Sequence, residues 1–208
     1  MLENLEVLCH SSIRITGSKI IYVDPFRINK YYKDADYIFC THSHYDHFSK
    51  EDIEKLLKDT SIIITVESSK EDAIELVGRE RVTIVEPDNI YEVDGFNFET
   101  TYSYNINKKF HPKENEWVGF VIELDGTKYY IAGDTDNIPE IQNIKCNVAL
   151  LPVGGTYTMT VEEAAELANV IDTKYVVPTH YGEIVGEKTD GDKFAKLVKN
   201  KDVIIKIK

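Results

Sequence analysis

Three of the chain's six histidines and one carboxylate fall within His42-Ser43-His44-Tyr45-Asp46-His47, an H-x-H-x-D-H pattern. Imidazole nitrogens and carboxylate oxygens are the donors that zinc and similar first-row ions take, so this spacing points to metal binding. Residues two apart on extended backbone face the same way, which lets His42 and His44 grip one ion. Asp46 and His47 turn away from that pair and suit a second ion. The competing reading is a chance cluster on a solvated loop, and the scarcity of histidine elsewhere in the chain argues against it.

These side chains need elements to position them. Upstream, Tyr37-Ile38-Phe39-Cys40 is short, apolar and β-prone, which predicts a buried strand. Downstream, Ser49 with Asp52 three residues on predicts a helix start, with Ile53, Leu56 and Leu57 as its apolar face. The motif therefore sits on a strand-to-helix loop, where side chains can converge beyond a strand's carboxyl end. Other predicted strand ends carry further candidates. His111 lies in the polar, aperiodic stretch 105–115 and is a candidate third ligand for the first ion. The strand 128–132 runs into Gly133-Asp134-Thr135-Asp136. There a carboxylate following a glycine suits a bridge between two ions. The strand 174–178 delivers Thr179-His180-Tyr181-Gly182. His10 falls between strands Leu5–Cys9 and 13–16, either as a structural hydrogen-bonder or as a group behind a ligand. Asp24 closes the strand 19–23 and either orients a ligand histidine or caps a turn.

The remainder alternates strand and helix in its middle, the signature of α/β layering. A strand over 61–66 precedes a helix over Lys70–Val77 stopped by Gly78, then a strand over 82–85. Asp94-Gly95 and Asp125-Gly126 predict hairpin turns between strands 90–93 and 96–104, and between 117–124 and 128–132. A strand over 147–153 leads to Gly154-Gly155-Thr156-Tyr157. Thr160 with Glu163 forms a capping box opening a helix to Ile171. A last helix over 190–200 and a strand over 203–207 close the chain.

With 208 residues, 42% hydrophobic and 29% charged, the chain reads as one globular domain over 1–208. The net charge of −12 argues against nucleic acid as partner, because phosphate backbones need a basic footprint. No stretch approaches the ~20 apolar residues of a membrane span, and the acidic start lacks a signal-peptide core. Cys9, Cys40 and Cys146 are flanked by apolar residues and carry no C-x-x-C spacing, so they read as buried thiols in a reducing cytoplasm.

The order H-x-H-x-D-H, then His111, then Gly133-Asp134-Thr135, then His180 resembles the metallo-β-lactamase superfamily. More narrowly, it resembles the branch containing ascorbate-6-phosphate lactonase-like proteins and N-acyl phosphatidylethanolamine phospholipase D. His10-Ser11-Ser12 and Asp24-Pro25 are similar to matching pieces of the lactonase-like branch. The resemblance covers nearly the whole chain. It implies an α/β fold, a four-layer αββα sandwich of two mixed sheets, with a dinuclear site at its edge.

By that resemblance His42, His44 and His111 would hold the first ion. Asp46, His47 and His180 would hold the second, with Asp134 bridging. The ions would be two divalent cations, zinc in the first place, with manganese or iron as alternatives. A hydroxide between them would be the nucleophile, oriented by Asp46, and the ions would stabilise the oxyanion. The implied substrate is a small-molecule lactone, ester or phosphodiester. A nuclease of the same superfamily and a non-catalytic metal-binding protein are the alternatives. His44 stands where the flavo-diiron branch has glutamate, and the basic arm of the tRNA-processing members is missing. Proximity in sequence makes Asn105, Asn107, Lys108 and Lys109 beside His111, Thr156 and Tyr157, and Tyr181 beside His180 the candidate substrate contacts; the alternative for the lysines is a solvated loop, which is the preferred reading for Lys109. The residues leave the oligomeric state open.

Overall fold

The computed structural model describes residues 2–207, which form two compact units meeting in sequence between Glu86 and Pro87. The first unit holds strands β1 (Leu5–Cys9), β2 (Ser12–Thr16), β3 (Ile20–Val23), β4 (Ala35–Phe39), β5 (Leu57–Thr65) and β6 (Val82–Ile84), in that spatial order. β1, β2 and β3 pair antiparallel, and β3 to β6 pair parallel, so the sheet is mixed. Register places Tyr22, Ile38 and Ile63 side by side on one face. Helices α1 (Lys50–Glu54) and α2 (Lys70–Val77) pack there through Ile53, Ala73 and Val77. Because β3 and β4 run parallel, their carboxyl ends lie together. Asp24 follows one and the H-x-H-x-D-H loop follows the other, and the backbone N–H of Asp24 donates to the Phe39 carbonyl at 2.9 Å.

The second unit holds β7 (Ile90–Val93), β8 (Phe96–Tyr102), β9 (Val118–Leu124), β10 (Thr127–Ile131), β11 (Val148–Pro152), β12 (Tyr175–Thr179) and β13 (Asp202–Val203). They lie side by side in sequence order, β7 to β10 antiparallel and β10 to β13 parallel. Helices α3 (Val161–Val170) and α4 (Asp190–Leu197) cover Val121, Tyr130, Ala149, Leu151 and Val176 with Ala164, Leu167, Ala168 and Phe194. The carboxyl ends of β10 and β12, in the same parallel block, present Asp134 and His180. The fold is thus α/β, two mixed sheets with flanking helices. No helix among the described residues is long and apolar enough to cross a membrane.

Three expectations are corrected. The helix after the motif ends at Glu54, and Leu57 opens β5. Strand pairing wins there, because Ala35 donates its N–H to Leu56 and sits opposite Leu57. The last helix stops at Leu197, where Val198 turns to extended backbone, and the final strand covers only Asp202–Val203. Of the cysteines, Cys40 is buried whereas Cys9 and Cys146 are only half-buried.

Candidate metal centre

The first unit gathers its donors in turns. The loop from Cys40 to Ser49 bends, with the N–H groups of His47 and Phe48 both donating to the His44 carbonyl, so the backbone is not extended as the spacing argument assumed. The turn nonetheless brings His42 Nε2 to 3.1 Å from His44 Nδ1. It also brings His47 closer to this pair than expected. The His42 and His47 rings lie 4.0 Å apart between centroids, with ligand nitrogens within 4.8 Å. Asp46 Oδ2 lies 3.6 Å from His47 Nε2 and 3.5 Å from His10 Nε2. His10, Asp46 and His47 are buried, while Tyr45 between His44 and Asp46 is 67% exposed.

A carboxylate and a hydroxyl hold these rings from behind. Asp24, itself buried, accepts from His47 Nδ1 at 2.7 Å and from the Thr41 N–H and hydroxyl at 2.8 Å each. Since the one hydroxyl proton of Thr41 goes to Asp24, its oxygen accepts from His42 Nδ1, 3.0 Å away. Both histidines therefore carry the proton on Nδ1 and present Nε2, the tautomer a metal ligand needs. Full burial pushes the Asp24 carboxyl upward in pKa, and His47 and Thr41 work against that rise. The bond to His47 is the one the orienting reading of Asp24 requires, and the bond to the Thr41 N–H is the one the turn reading requires. Thr41 is a participant that sequence reasoning missed. Only its position next to His42 hinted at it.

The second unit gathers donors of its own. Asp134 Oδ2 lies 3.2 Å from His111 Nε2 and 3.0 Å from His180 Nε2, so one oxygen stands between two imidazoles. All three side chains are buried. Gly133 takes φ 66° to turn Asp134 out of β10. His180 takes φ 57°, and its carbonyl presses on Gly154 so closely that a Cβ there would come within 2.2 Å. His10 and Asp24 share this left-handed backbone, at φ 53° and 48°. His111 is fixed by Asn105, whose Oδ1 accepts from its backbone N–H and from Nδ1, both at 3.1 Å.

The substrate candidates fare unevenly. Asn105 is buried beneath His111. The Lys108 ammonium is bound to the Asp136 carboxylate at 2.5 Å. Asn107, Lys109 and Thr156 are exposed, and Tyr157 packs its ring edge-on against Phe110. Tyr181 is not at the ligand loops. Its side chain is 1% exposed in the core under α3 and α4, with the hydroxyl against Gly191. Burial and the nearby Asp192 and Asp190 raise its phenol above the ordinary range.

Atoms bound at about 2.0–2.2 Å around one tetrahedral ion lie roughly 3.3–3.6 Å apart. The donor separations within each unit run from 3.0 to 3.6 Å, two of the five inside that range and three up to about 0.3 Å short of it, and the donor set is nitrogen and oxygen throughout. The side chains fit a first-row divalent ion.

The Beta-lactamase superfamily domain family matches residues 4–180. The chain belongs to the metallo-β-lactamase superfamily. Among relatives in that superfamily, a UPF0173 metal-dependent hydrolase of Pyrococcus abyssi is 29% identical over all of this chain and 97% of its own length. One from Thermoplasma acidophilum is 30% identical over 94% of this chain and 92% of its own length. A crystal structure of a protein from Parabacteroides distasonis, assigned to the metal-dependent hydrolases, superposes with a TM-score of 0.82 at 29% identity. It covers 98% of this chain and 93% of that one. Igni18, a metallo hydrolase from Ignicoccus hospitalis, shares the fold with a TM-score of 0.77 at 23% identity, over 97% and 93% of the two chains. The chain is thus a metal-dependent hydrolase with the metallo-β-lactamase fold.

Proposed function

We propose that residues 1–208 form one hydrolase domain with a dinuclear centre that cleaves a small-molecule lactone or ester, or a phosphodiester, in the cytoplasm. One observation carries the dinuclear reading: Asp134 Oδ2 stands between His111 Nε2 and His180 Nε2, as a carboxylate bridging two ions would. With the superfamily's ligand order, His42, His44 and His111 would hold the first ion, and Asp46, His47 and His180 the second. Zinc fits this donor set first, with manganese or iron as alternatives. When bound, two such ions lower the pKa of water from about 15.7 to near 7 and polarise the substrate oxygen.

The chain's own residues supply the rest. Asp24 and Thr41 keep His47 and His42 in the metal-binding tautomer, and Asp46 orients the attacking water. Lys108, a candidate anion contact, is already paired with Asp136, which favours an uncharged lactone or ester over a phosphodiester. The test is hydrolysis of lactones, esters and phosphodiesters by metal-reconstituted protein, with Asp134→Ala as blank. Lactone or ester turnover that vanishes in the variant is expected, along with about two bound ions falling together. Two ions retained by Asp134→Ala would sink the bridging assignment. Salt-sensitive binding of nucleic acid would favour a nuclease instead.

A further inference from the structure

Asp136 lies outside the seven proposed ligands, yet it is a buried carboxylate two residues past one of them. Its Oδ1 accepts from Asn105 Nδ2 at 3.1 Å and from Lys108 Nζ at 2.5 Å, and its Oδ2 from the Ile106 N–H at 2.9 Å. Asn105 Nδ2 also donates to the Tyr157 carbonyl at 2.9 Å.

These partners leave the Asn105 amide one orientation. A carboxylate and a carbonyl only accept, so the amide nitrogen must face Asp136 and Tyr157. A backbone N–H only donates, so the amide oxygen must face His111. That oxygen is also 3.1 Å from His111 Nδ1. It can only accept there, so Nδ1 carries a proton and Nε2 is the nitrogen turned toward Asp134, 3.2 Å away.

We propose that Asp136 is a positioning residue that, through Asn105, sets the tautomer and pose of His111. The metal consequence rests on the reading of His111 as a ligand; the tautomer does not. Lys108 belongs to the same device. It neutralises a carboxylate that would otherwise be buried beside a backbone N–H and an amide alone.

The experiment uses the full-length chain labelled with 15N-histidine, comparing the native protein with Asp136→Asn and Asn105→Ala. Asp136→Asn turns an amide N–H toward the Ile106 N–H or toward Lys108 and Asn105. Asn105→Ala removes the acceptor altogether. Long-range 1H–15N correlation before metal is added reads the His111 tautomer, and competition with a chelator reads zinc affinity.

The native chain should show the Nδ1–H form, and either variant a mixture with Nε2–H. Zinc binding at one of the two sites should weaken about 10–100-fold in both, the usual effect of removing a group behind a ligand. An unchanged Nδ1–H form in whichever variant folds overturns the proposal. A shifted tautomer with unchanged zinc affinity upholds it and counts instead against His111 as a ligand.

Discussion

Asp24 Oδ2 and His47 Nδ1 lie 2.7 Å apart with both side chains buried, at the carboxyl ends of two neighbouring parallel strands. The pair joins a structural task to a chemical one, because the same carboxylate also closes on the Thr41 backbone N–H. Asp24→Ala should therefore damage both. Two buried donors of Thr41 lose their acceptor, at about 1–3 kcal/mol each. Affinity for the ion proposed at His47 should fall about 10–100-fold. Urea unfolding and zinc competition measure the two effects separately. Native zinc affinity in a destabilised variant would reduce Asp24 to a turn residue.

The Tyr181 hydroxyl offers a test of direction. Since it lies in the core against Gly191, Tyr181→Phe should hydrolyse any substrate found at the native rate. Gly191→Ala should instead lower stability by about 1–3 kcal/mol, since a Cβ there would come 2.4 Å from that hydroxyl. A large loss of turnover in Tyr181→Phe with stability intact would return Tyr181 to the site.

Asp52 governs part of the acid limb of stability. Burial alone would raise its carboxyl. Lys55, Ser49 and the N–H groups of Ile28 and Arg27 outweigh that and hold it below the ordinary carboxylate range. A depressed folded pKa contributes stability above the unfolded value of about 3.9, lost as pH falls through the folded one. Asp52→Asn should thus be less stable than the native chain near neutrality, with the difference closing below about pH 4. Unfolding curves that stay parallel from pH 7 to 3 would contradict this.

Thr160 opens α3 with a capping box, its hydroxyl accepting from the Glu163 N–H and the Glu163 carboxylate accepting from the Thr160 N–H. Thr160→Ala should cost about 1 kcal/mol. For a chain of this size that is about 2–4 °C in Tm, readable by calorimetry.

Where local signals agreed with long-range pairing, the sequence could be read element by element. α2 matches its expected span, Lys70–Val77, because an apolar face and Gly78 mark it without help from elsewhere. Leu57 was legible only as one more apolar residue after a helix start; its place in β5 depends on Ala35, 22 positions earlier. The ligand candidates stood out because histidine is scarce and strand ends can be found. Thr41 and Asp136 did not, since both are common residue types whose roles come from partners 17 and 31 positions away. Tyr181 was misread for a simpler reason. Adjacent side chains at a strand end leave in different directions, so standing next to His180 says nothing about facing the same point.

The left-handed turns at His10, Asp24 and His180 bear on how such a site would decay. Only glycine, and to a lesser degree asparagine, aspartate and histidine, enters that backbone region at low cost, while a β-branched residue is an outlier there. A descendant freed from metal chemistry could not drift at these positions toward valine or isoleucine without first rebuilding the turn. Glycine or asparagine is the replacement to expect. Such a residue at position 10, 24 or 180 would mark a turn left over from the site in a relative that no longer hydrolyses anything.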